Sequence, residues 1–330
     1  MGVFLIGGDI LSKTSYEQYA KDIQNLVKQL PRQLTREQEK QIGKIYLKAF
    51  KDIEKKLEKC TDNKYRERLL RAYQTQIYEE LYPLIKQGII QVTDNILNIQ
   101  KESMIALLQE VFKEQTKIVD GKHKLQAIVD ITNRRLVDQM VKGKIYYNGR
   151  GLDEMLWDAT KCAEDRLNLA ITSCIAQGMG AAEMSQNLKE FAMGGHHTWS
   201  RNKIREKLGD GYARKYGSGG LDYEALRLAR TTLTHQAQLA TLSTSKINPY
   251  MDAVIWHSDH QAGRTCQQCI DRNGTKYYLN KESVPLDHPN GMCWLEPAYS
   301  MTPQEIAKDM KAWAEGKKNS GLMDKIYKRS

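Results

Sequence analysis

The sequence has few residues that interrupt helices: seven Pro in 330 residues. It also lacks any run of about 20 apolar residues, which a membrane-spanning helix requires. The apolar stretch at residues 3–6 ends at two glycines and is too short for the core of a secretory signal. We therefore expect a protein that is made and used without export and that has no membrane partner.

The motifs of several enzyme classes are missing as well. The chain has no P-loop, no G-x-S-x-G, no H-E-x-x-H, and no G-x-G-x-x-G after a predicted strand. Arg230 and the Ser-Thr-Ser of residues 243–245 are similar to elements of ADP-ribosyltransferases, but no Glu-x-Glu follows them. We predict that the protein is not an enzyme, with an ADP-ribosyltransferase-like toxin or a metallohydrolase as the less favoured alternatives.

Charge is unevenly distributed along the chain. The 50 Lys and Arg against 40 Asp and Glu give a net charge of +10. Residues 1–150 hold 27 of the basic and 19 of the acidic residues, whereas residues 151–330 hold 23 and 21. A basic half attracts nucleic acid or an acidic protein, or its lysines form the solvated outer face of helices. Both interpretations stay open at this point.

Apolar residues at spacings of three and four predict a helical bundle or arm over residues 1–143. Proline and a capping box supply the expected helix limits. We predict a first helix that ends at Pro31, a second opened by Thr35 and Gln38, a third closed by Pro83, and two more over residues 89–112 and 125–140.

The periodicity changes after a connecting segment at residues 144–151. Helices are predicted over residues 153–177, 181–191 and from Asp222 to just before Asn248, and the glycine-rich, basic residues 194–220 suggest a mobile loop or a contact surface. Two β-rich runs, 252–257 and 275–279, predict a small sheet. Thr302 and Glu305 form a capping box for a last helix, with apolar Ile306, Met310 and Trp313.

The expected fold class is therefore a mainly α N-terminal region followed by an α+β module with a small β-sheet. We place the domain limits at 1–143 for the helical region, 144–300 for the module, and 301–330 for a C-terminal helix and basic tail. Whether this module also carries a metal depends on the arrangement of the six cysteines.

Three of those cysteines lie close together in the sequence, in the order Cys266-x2-Cys269-x18-His288-x4-Cys293. A Cys-x-x-Cys turn presents two sulfurs to one cation, and a second ligand pair completes a tetrahedron. Such a closed Cys3His set is typical of structural zinc. His257 or His260 could replace His288, and reduced thiols in a small sheet core are the alternative. We expect Cys60, Cys162 and Cys174 to be core residues.

The order of motifs in the C-terminal half resembles a known family. It comprises Gly149-Arg150, Trp157, a G-x-G turn at Gly178 and Gly180, Arg230-Thr231, Trp256, Asp259, Arg264-Thr265-Cys266-x-x-Cys269, Asn273-Gly274 and Asp287-His288-Pro289-Asn290-x-x-Cys293. This series is similar to the tailed-phage minor head proteins of the Mu F-like type, also called head morphogenesis proteins. The resemblance covers about residues 144–300.

The sequence departs from that family at four points. Gly291 stands where the commoner motif has a cysteine, and Met292 replaces an arginine. Residues 260–263 are an insertion, and Thr232 replaces a glutamate after Arg230-Thr231. The last change removes a carboxylate and weakens any enzymatic role for Arg230.

The resemblance implies a virion protein that is assembled in the host cytoplasm and located inside the head, near the portal vertex. Its implied partners are the portal protein and a scaffold or major capsid protein, with non-specific contact to packaged DNA. The implied roles are head assembly and DNA packaging or ejection. A zinc-containing nucleic-acid-binding protein is the alternative from a different class.

Overall fold

The computed structural model describes residues 16–57, 63–111, 115–143, 149–192, 201–216, 220–248, 250–258, 265–281, 283–302, 305, 306, 308, 309 and 312. In chain order its elements are α1 (Tyr16–Leu57), α2 (Asn63–Val111), α3 (Gln115–Lys142), α4 (Leu152–Ala176), α5 (Ala181–Ala192), α6 (Arg201–Tyr216), α7 (Tyr223–Ile247), β1 (Met251–His257), α8 (Gln267–Arg272), β2 (Lys276–Tyr278) and β3 (Trp294–Tyr299). The predicted fold class, mainly α with a small C-terminal sheet, is confirmed.

Helix α1 passes through Pro31, so the predicted stop at this residue is wrong. A proline inside a helix removes one backbone hydrogen bond and costs about 3 kcal/mol. Here Pro31 lies on a buried stripe that continues through Thr35, Gln38 and Ile42. Breaking the helix would interrupt that stripe, and burial of the side chains that follow offsets the cost. Thr35 and Gln38 therefore form no capping box and lie inside α1.

Helix α2 likewise continues through Pro83 and joins two helices that the sequence analysis separates. Buried apolar residues recur at spacings of three and four on both sides of the proline, namely at Leu81, Ile85, Ile89, Val92 and Ile96. Pro83 itself is exposed. The apolar period is unbroken at this point, so packing selects one long helix.

Helices α1 and α2 form an antiparallel pair. Lys48 contacts Glu80, and Asp52 contacts Gln76, so residues later in α1 meet residues earlier in α2. The two helices lie close together at Gly88, where an added Cβ would lie 2.1 Å from Gln38 Nε2 and 3.0 Å from Leu233 of α7. Glycine therefore allows three helices to cross in one place.

One hydrophobic core extends across the predicted domain limit at residue 143. It joins residues of α1 and α2, from Ile42 to Ile89, to residues of α4, α5, α6 and α7 up to Ala229. A second cluster places Leu233 and Ala237 of α7 against Val92 and Ile96 of α2. The boundaries between the three predicted segments stay a prediction, whereas the packing on the two sides of residue 143 is continuous.

The predicted helices that became α4, α5 and α7 are present close to their expected limits, whereas α3 begins at Gln115, well before the predicted start at residue 125. Gly178 follows α4 with φ 70°, a left-handed conformation that glycine adopts readily. Asp222 occupies the N-cap position of α7, although its side chain makes no capping hydrogen bond. Both ends of α4 therefore follow the turn chemistry of the sequence, but the start of α7 does so in position alone.

The expectation of a loop over residues 194–220 is wrong for residues 201–216, which form α6. Ile204, Leu208 and Tyr212 recur at a spacing of four and are fully buried, so this segment packs as a helix. Gly209 has φ 83° and kinks the helix without ending it. The glycine content thus marks a bend in α6, where we had predicted a loop.

The three strands form one antiparallel sheet in the order β2-β1-β3. β1 and β2 match the predicted runs, whereas β3, which contains Pro297, was not predicted. Since β3 is an edge strand, its proline is tolerated. The inner face of the sheet holds Val254, Trp256 and Leu295 together with Cys269 and Cys293. The sheet therefore surrounds two of the predicted metal ligands with apolar side chains.

The capping box at the start of the predicted last helix is confirmed. Thr302 N donates to Glu305 Oε2 at 2.8 Å, and Glu305 N donates to Thr302 Oγ1 at 3.3 Å. Ile306 is buried, whereas Met310, Trp313 and the basic tail lie outside the described residues. Among the helices of the described segments, none is long and apolar enough to cross a membrane.

Candidate metal centre

The Cys-x-x-Cys segment opens the short helix α8. Cys266 is the N-cap residue, and its carbonyl accepts hydrogen bonds from Cys269 N and Ile270 N, each at 3.1 Å. This first turn places both sulfurs on one side of the segment. Cys266 is exposed, whereas Cys269 lies in the sheet core. The two sulfurs thus form an outer and an inner position of one site.

A tight loop formed by residues 287–293 presents the other two predicted ligands. Asp287 organises it, because its Oδ1 accepts a hydrogen bond from His288 N at 2.9 Å and its Oδ2 accepts one from Cys293 N at 2.8 Å. The backbone of Asn290 is left-handed, with φ 65°, which asparagine tolerates better than most residues. Asp287 therefore holds together the two ends of the loop, which carry His288 and Cys293.

These two segments meet through all four predicted ligands. His288 Nε2 lies 3.4 Å from Cys266 Sγ, and Cys293 Sγ lies 3.3 Å from Cys269 Sγ. In a tetrahedral zinc site with ordinary bond lengths, neighbouring ligand atoms are about 3.5 Å apart. These two distances are close to the spacing of neighbouring ligands around a tetrahedral cation, but the four predicted ligand atoms are not all within 4.8 Å of one another.

The ligand atoms form two sets that share Cys269. The first set is Cys266, Cys269 and His288, and the second is Cys269, Asp287 and Cys293; within each set all atoms lie within 4.8 Å of one another. The second set is buried, whereas the first extends to the surface. Each arrangement could hold a metal ion, and Asp287 adds a carboxylate that the sequence analysis did not include among the ligands.

The thiols of Cys266 and Cys269 have pKa values that are shifted in opposite directions. Hydrogen bonds from the backbone N–H and thiol of Cys269, followed by the nearby His288, lower the pKa of Cys266. Burial, followed by the hydrogen bond with Cys293, raises the pKa of Cys269 far above its ordinary value. Burial lowers the pKa of His288, but the Pro289 carbonyl, Asp287 and Cys266 together outweigh it, so that pKa is raised. A bound cation favours the thiolate of a coordinating cysteine.

Helix α7 holds the 287–293 loop from behind. Gln238 uses both ends of its amide: Oε1 accepts from Asp287 N at 3.0 Å, and Nε2 donates to Cys293 O at 3.1 Å. His235 Nε2 lies 2.8 Å from Asp287 O, and Thr234 Oγ1 donates to Gly291 O at 3.1 Å. These three side chains are buried. They fix the loop backbone, and through it the positions of His288 and Cys293.

Arg230 extends this support to the first helix. It donates to Asn290 Oδ1 at 3.2 Å and forms an ion pair with Glu39 of α1. Asn290 N also donates to Thr231 Oγ1 at 2.8 Å. The Arg230-Thr231 pair and Asn290, which are 60 residues apart in the sequence, therefore contact each other directly.

The structure places the remaining candidate residues away from the ligand atoms or outside the described segments. His257 stacks on Trp294 and contacts Glu296 Oε2 at 2.6 Å, so it belongs to the sheet surface and does not replace His288. His260 and Cys60 lie outside the described residues. Cys174 is a buried core residue as predicted, whereas Cys162 is partly exposed.

Two supporting features were not found from the sequence. Asp287 is part of the Asp-His-Pro-Asn motif, and a carboxylate directly before a histidine ligand is a signal from which its role could have been predicted. Gln238 and His235 lie on a helix 50 residues upstream and gave no local signal, because their partners are backbone atoms. Comparison of the chain with protein-family models, with curated proteins and with solved structures found no match.

Proposed function

We propose that the protein is a structural component of a tailed-phage head, a minor head protein associated with the portal vertex. The observation that carries this proposal is the contact between motif residues that are distant in sequence. Arg230 and Thr231 bind Asn290, and His288 lies beside Cys266. Three of the motifs that resemble the head morphogenesis family, those of Arg230-Thr231, Cys266 and residues 287–293, are therefore joined by direct contacts.

A structural role is supported by the contacts of Arg230 and of the cysteines, the side chains that could otherwise have served in catalysis. Arg230, which could have served an ADP-ribosyltransferase-like site, is bonded to Glu39 and Asn290. Cys269 and Cys293 pack against each other in the sheet core, and Cys266 lies beside His288. These groups hold three segments of the chain together, which is the work expected of an assembly protein.

We further propose that the metal is zinc. A set of three sulfurs and one imidazole is typical of structural zinc, and carboxylate-preferring cations such as Mg²⁺ and Ca²⁺ are poorly suited to it. Four protein ligands would leave no position for a water molecule. The ion would then cross-link α8 to the 287–293 loop and stabilise the module without taking part in a reaction.

The decisive experiment for the head proposal is a quantitative mass-spectrometric inventory of purified virions and proheads of a phage that encodes this chain. We expect the protein in both, in few copies, and recovered together with the portal protein. Its absence from virions and proheads alike would exclude the proposal. Abundant major capsid protein in the same samples is the control for recovery.

A further inference from the structure

A partly exposed aromatic cluster lies where α2 and α4 meet, with Tyr78 and Tyr82 half-buried and Trp157 exposed. Tyr78 stacks on Tyr82 with ring centroids 6.2 Å apart, and the edge of Tyr78 meets Trp157 at 5.6 Å. Trp157 is 48% exposed. A tryptophan carries a large apolar area, and leaving half of it in water forgoes a substantial part of the free energy that its burial would provide. We call Tyr78, Tyr82 and Trp157 the aromatic patch.

Acidic residues lie beside this patch along α2 and α4, in a chain whose net charge is +10. Glu79, Asp153 and Glu154 are exposed. Asp153 accepts a hydrogen bond from Tyr78, and Glu154 accepts one from Gly151 N at 2.9 Å. The cations Arg150 and Lys161 nearby are each held in ion pairs by carboxylates of α4. The patch is therefore an aromatic surface with an acidic rim.

Helix α1 carries a surface of opposite charge. Arg36, Lys40 and Lys44 are exposed and four residues apart, so their charges follow one ridge of the helix. Like charges at this spacing destabilise a helix by a few tenths of a kcal/mol for each pair. Glu37 accepts from Gln33 at 3.5 Å, and Glu39 is bound by Arg230. We call Arg36, Lys40 and Lys44 the basic ridge.

We infer that the aromatic patch of one copy of this chain binds the basic ridge of a second copy. The argument is charge complementarity at an aromatic centre, because Lys and Arg bind the faces of Trp and Tyr by cation–π attraction, with carboxylates at the rim. The contact relieves the repulsion along the ridge and covers Trp157. It is independent of the proposed head function and of the metal.

Patch and ridge are different surfaces, so the contact is head-to-tail. A pair keeps one unused ridge on the first copy and one unused patch on the second, so association continues into a ring or an open chain. This property separates the inference from ordinary two-fold dimerisation, in which both copies use the same surface. It also makes the inference testable with variants that each retain one surface.

The test is sedimentation velocity of the full chain with Trp157→Ala, with Lys40→Glu/Lys44→Glu, and with an equimolar mixture of the two. At about 50 mM salt, where screening is weak, we expect the wild-type chain to associate and each variant alone to be monomeric. The mixture should form a heterodimer that does not grow, because one copy supplies the ridge and the other the patch. Raising the salt to about 500 mM should weaken association of the wild-type chain.

The controls change equivalent residues elsewhere. Ile131→Ala removes a more exposed apolar side chain from α3, and Arg134→Glu/Arg135→Glu reverses two exposed charges on the same helix. Both should associate as the wild-type chain does, and all variants should keep its circular dichroism and melting temperature. A monomeric wild-type chain would overturn the inference, as would association unaffected by Trp157→Ala. Salt-sensitive binding of duplex DNA by the ridge without self-association would overturn it too.

Discussion

Asp287 and Gly291 occupy a space that has room for one side chain. A Cβ added to Gly291 would lie 2.1 Å from Asp287 Oδ2 and 2.3 Å from its Cγ. The same oxygen accepts the hydrogen bond from Cys293 N. A glycine at position 291 is therefore required by the carboxylate beside it.

Gly291→Ala should displace the Asp287 carboxylate and with it the loop that carries His288 and Cys293. We expect destabilisation of about 1–3 kcal/mol, from overpacking and from hydrogen bonds that are lost, together with a lower metal content. Urea unfolding and elemental analysis measure the two effects. Gly180→Ala is the matched control, since an added Cβ there meets nothing within 4 Å. Equal stability of the two variants would contradict this account of the loop.

Cys293→Ser and Cys266→Ser should each abolish stoichiometric zinc binding. The cost should be larger at Cys293, which is buried, than at Cys266, which is exposed, because the buried site also loses packing. Metal analysis and thermal melting with and without a chelator provide the measurements. Cys162→Ser, on α4 and outside the ligand sets, should keep its metal. The metal would be ruled out if the purified wild-type protein contained no zinc and its melting temperature were the same with and without the chelator.

Arg230→Ala and Glu39→Ala should be non-additive. The ion pair joins α1 to α7, and Arg230 also binds Asn290. Because the Arg230 side chain is 34% exposed, solvent screens the pair, and we expect a coupling energy of about 0.5–1 kcal/mol. A double-mutant cycle in urea supplies the value. Strict additivity would mean that the two side chains contribute independently.

Pro83→Ala should stabilise the protein. Pro83 is exposed within α2, so its replacement restores a backbone donor without removing core packing. The helical gain of about 3 kcal/mol exceeds the 0.4–1 kcal/mol lost by making the unfolded chain more flexible. A higher urea midpoint with an unchanged slope is the expected observation. A lower midpoint would show that the bend at Pro83 is needed by the packing around it.

The sequence predicts an element correctly where local signals, such as caps and prolines, favour the same structure as burial in the tertiary fold. The limits of α4 and α7 lie close to those predicted from the apolar period and the capping residues, whereas α3 begins earlier than predicted, and the 302–305 capping box formed as expected. The long helices were predicted in pieces because proline is a strong local signal. Their continuity depends on burial along α1 and α2, which a local rule does not include.

The candidate site was only partly predictable for the same reason. Cys-x-x-Cys, His288 and Cys293 are recognisable from spacing, since that chemistry requires particular residue types at particular distances. The side chains of α7 that support the loop bind main-chain atoms, and almost any sequence could place a glutamine there. Their role follows from distances such as the 3.1 Å between Gln238 Nε2 and Cys293 O.

The continuity of the core across residue 143 has a consequence for the order of folding during synthesis. Glu39 and Arg230 are separated by 191 residues. Leu233, which packs beside Gly88, is also synthesised long after α1 and α2. The face of α1 and α2 that packs against α7 stays uncovered until more than two thirds of the chain has left the ribosome. During this interval the exposed apolar stripe is a natural target for chaperones.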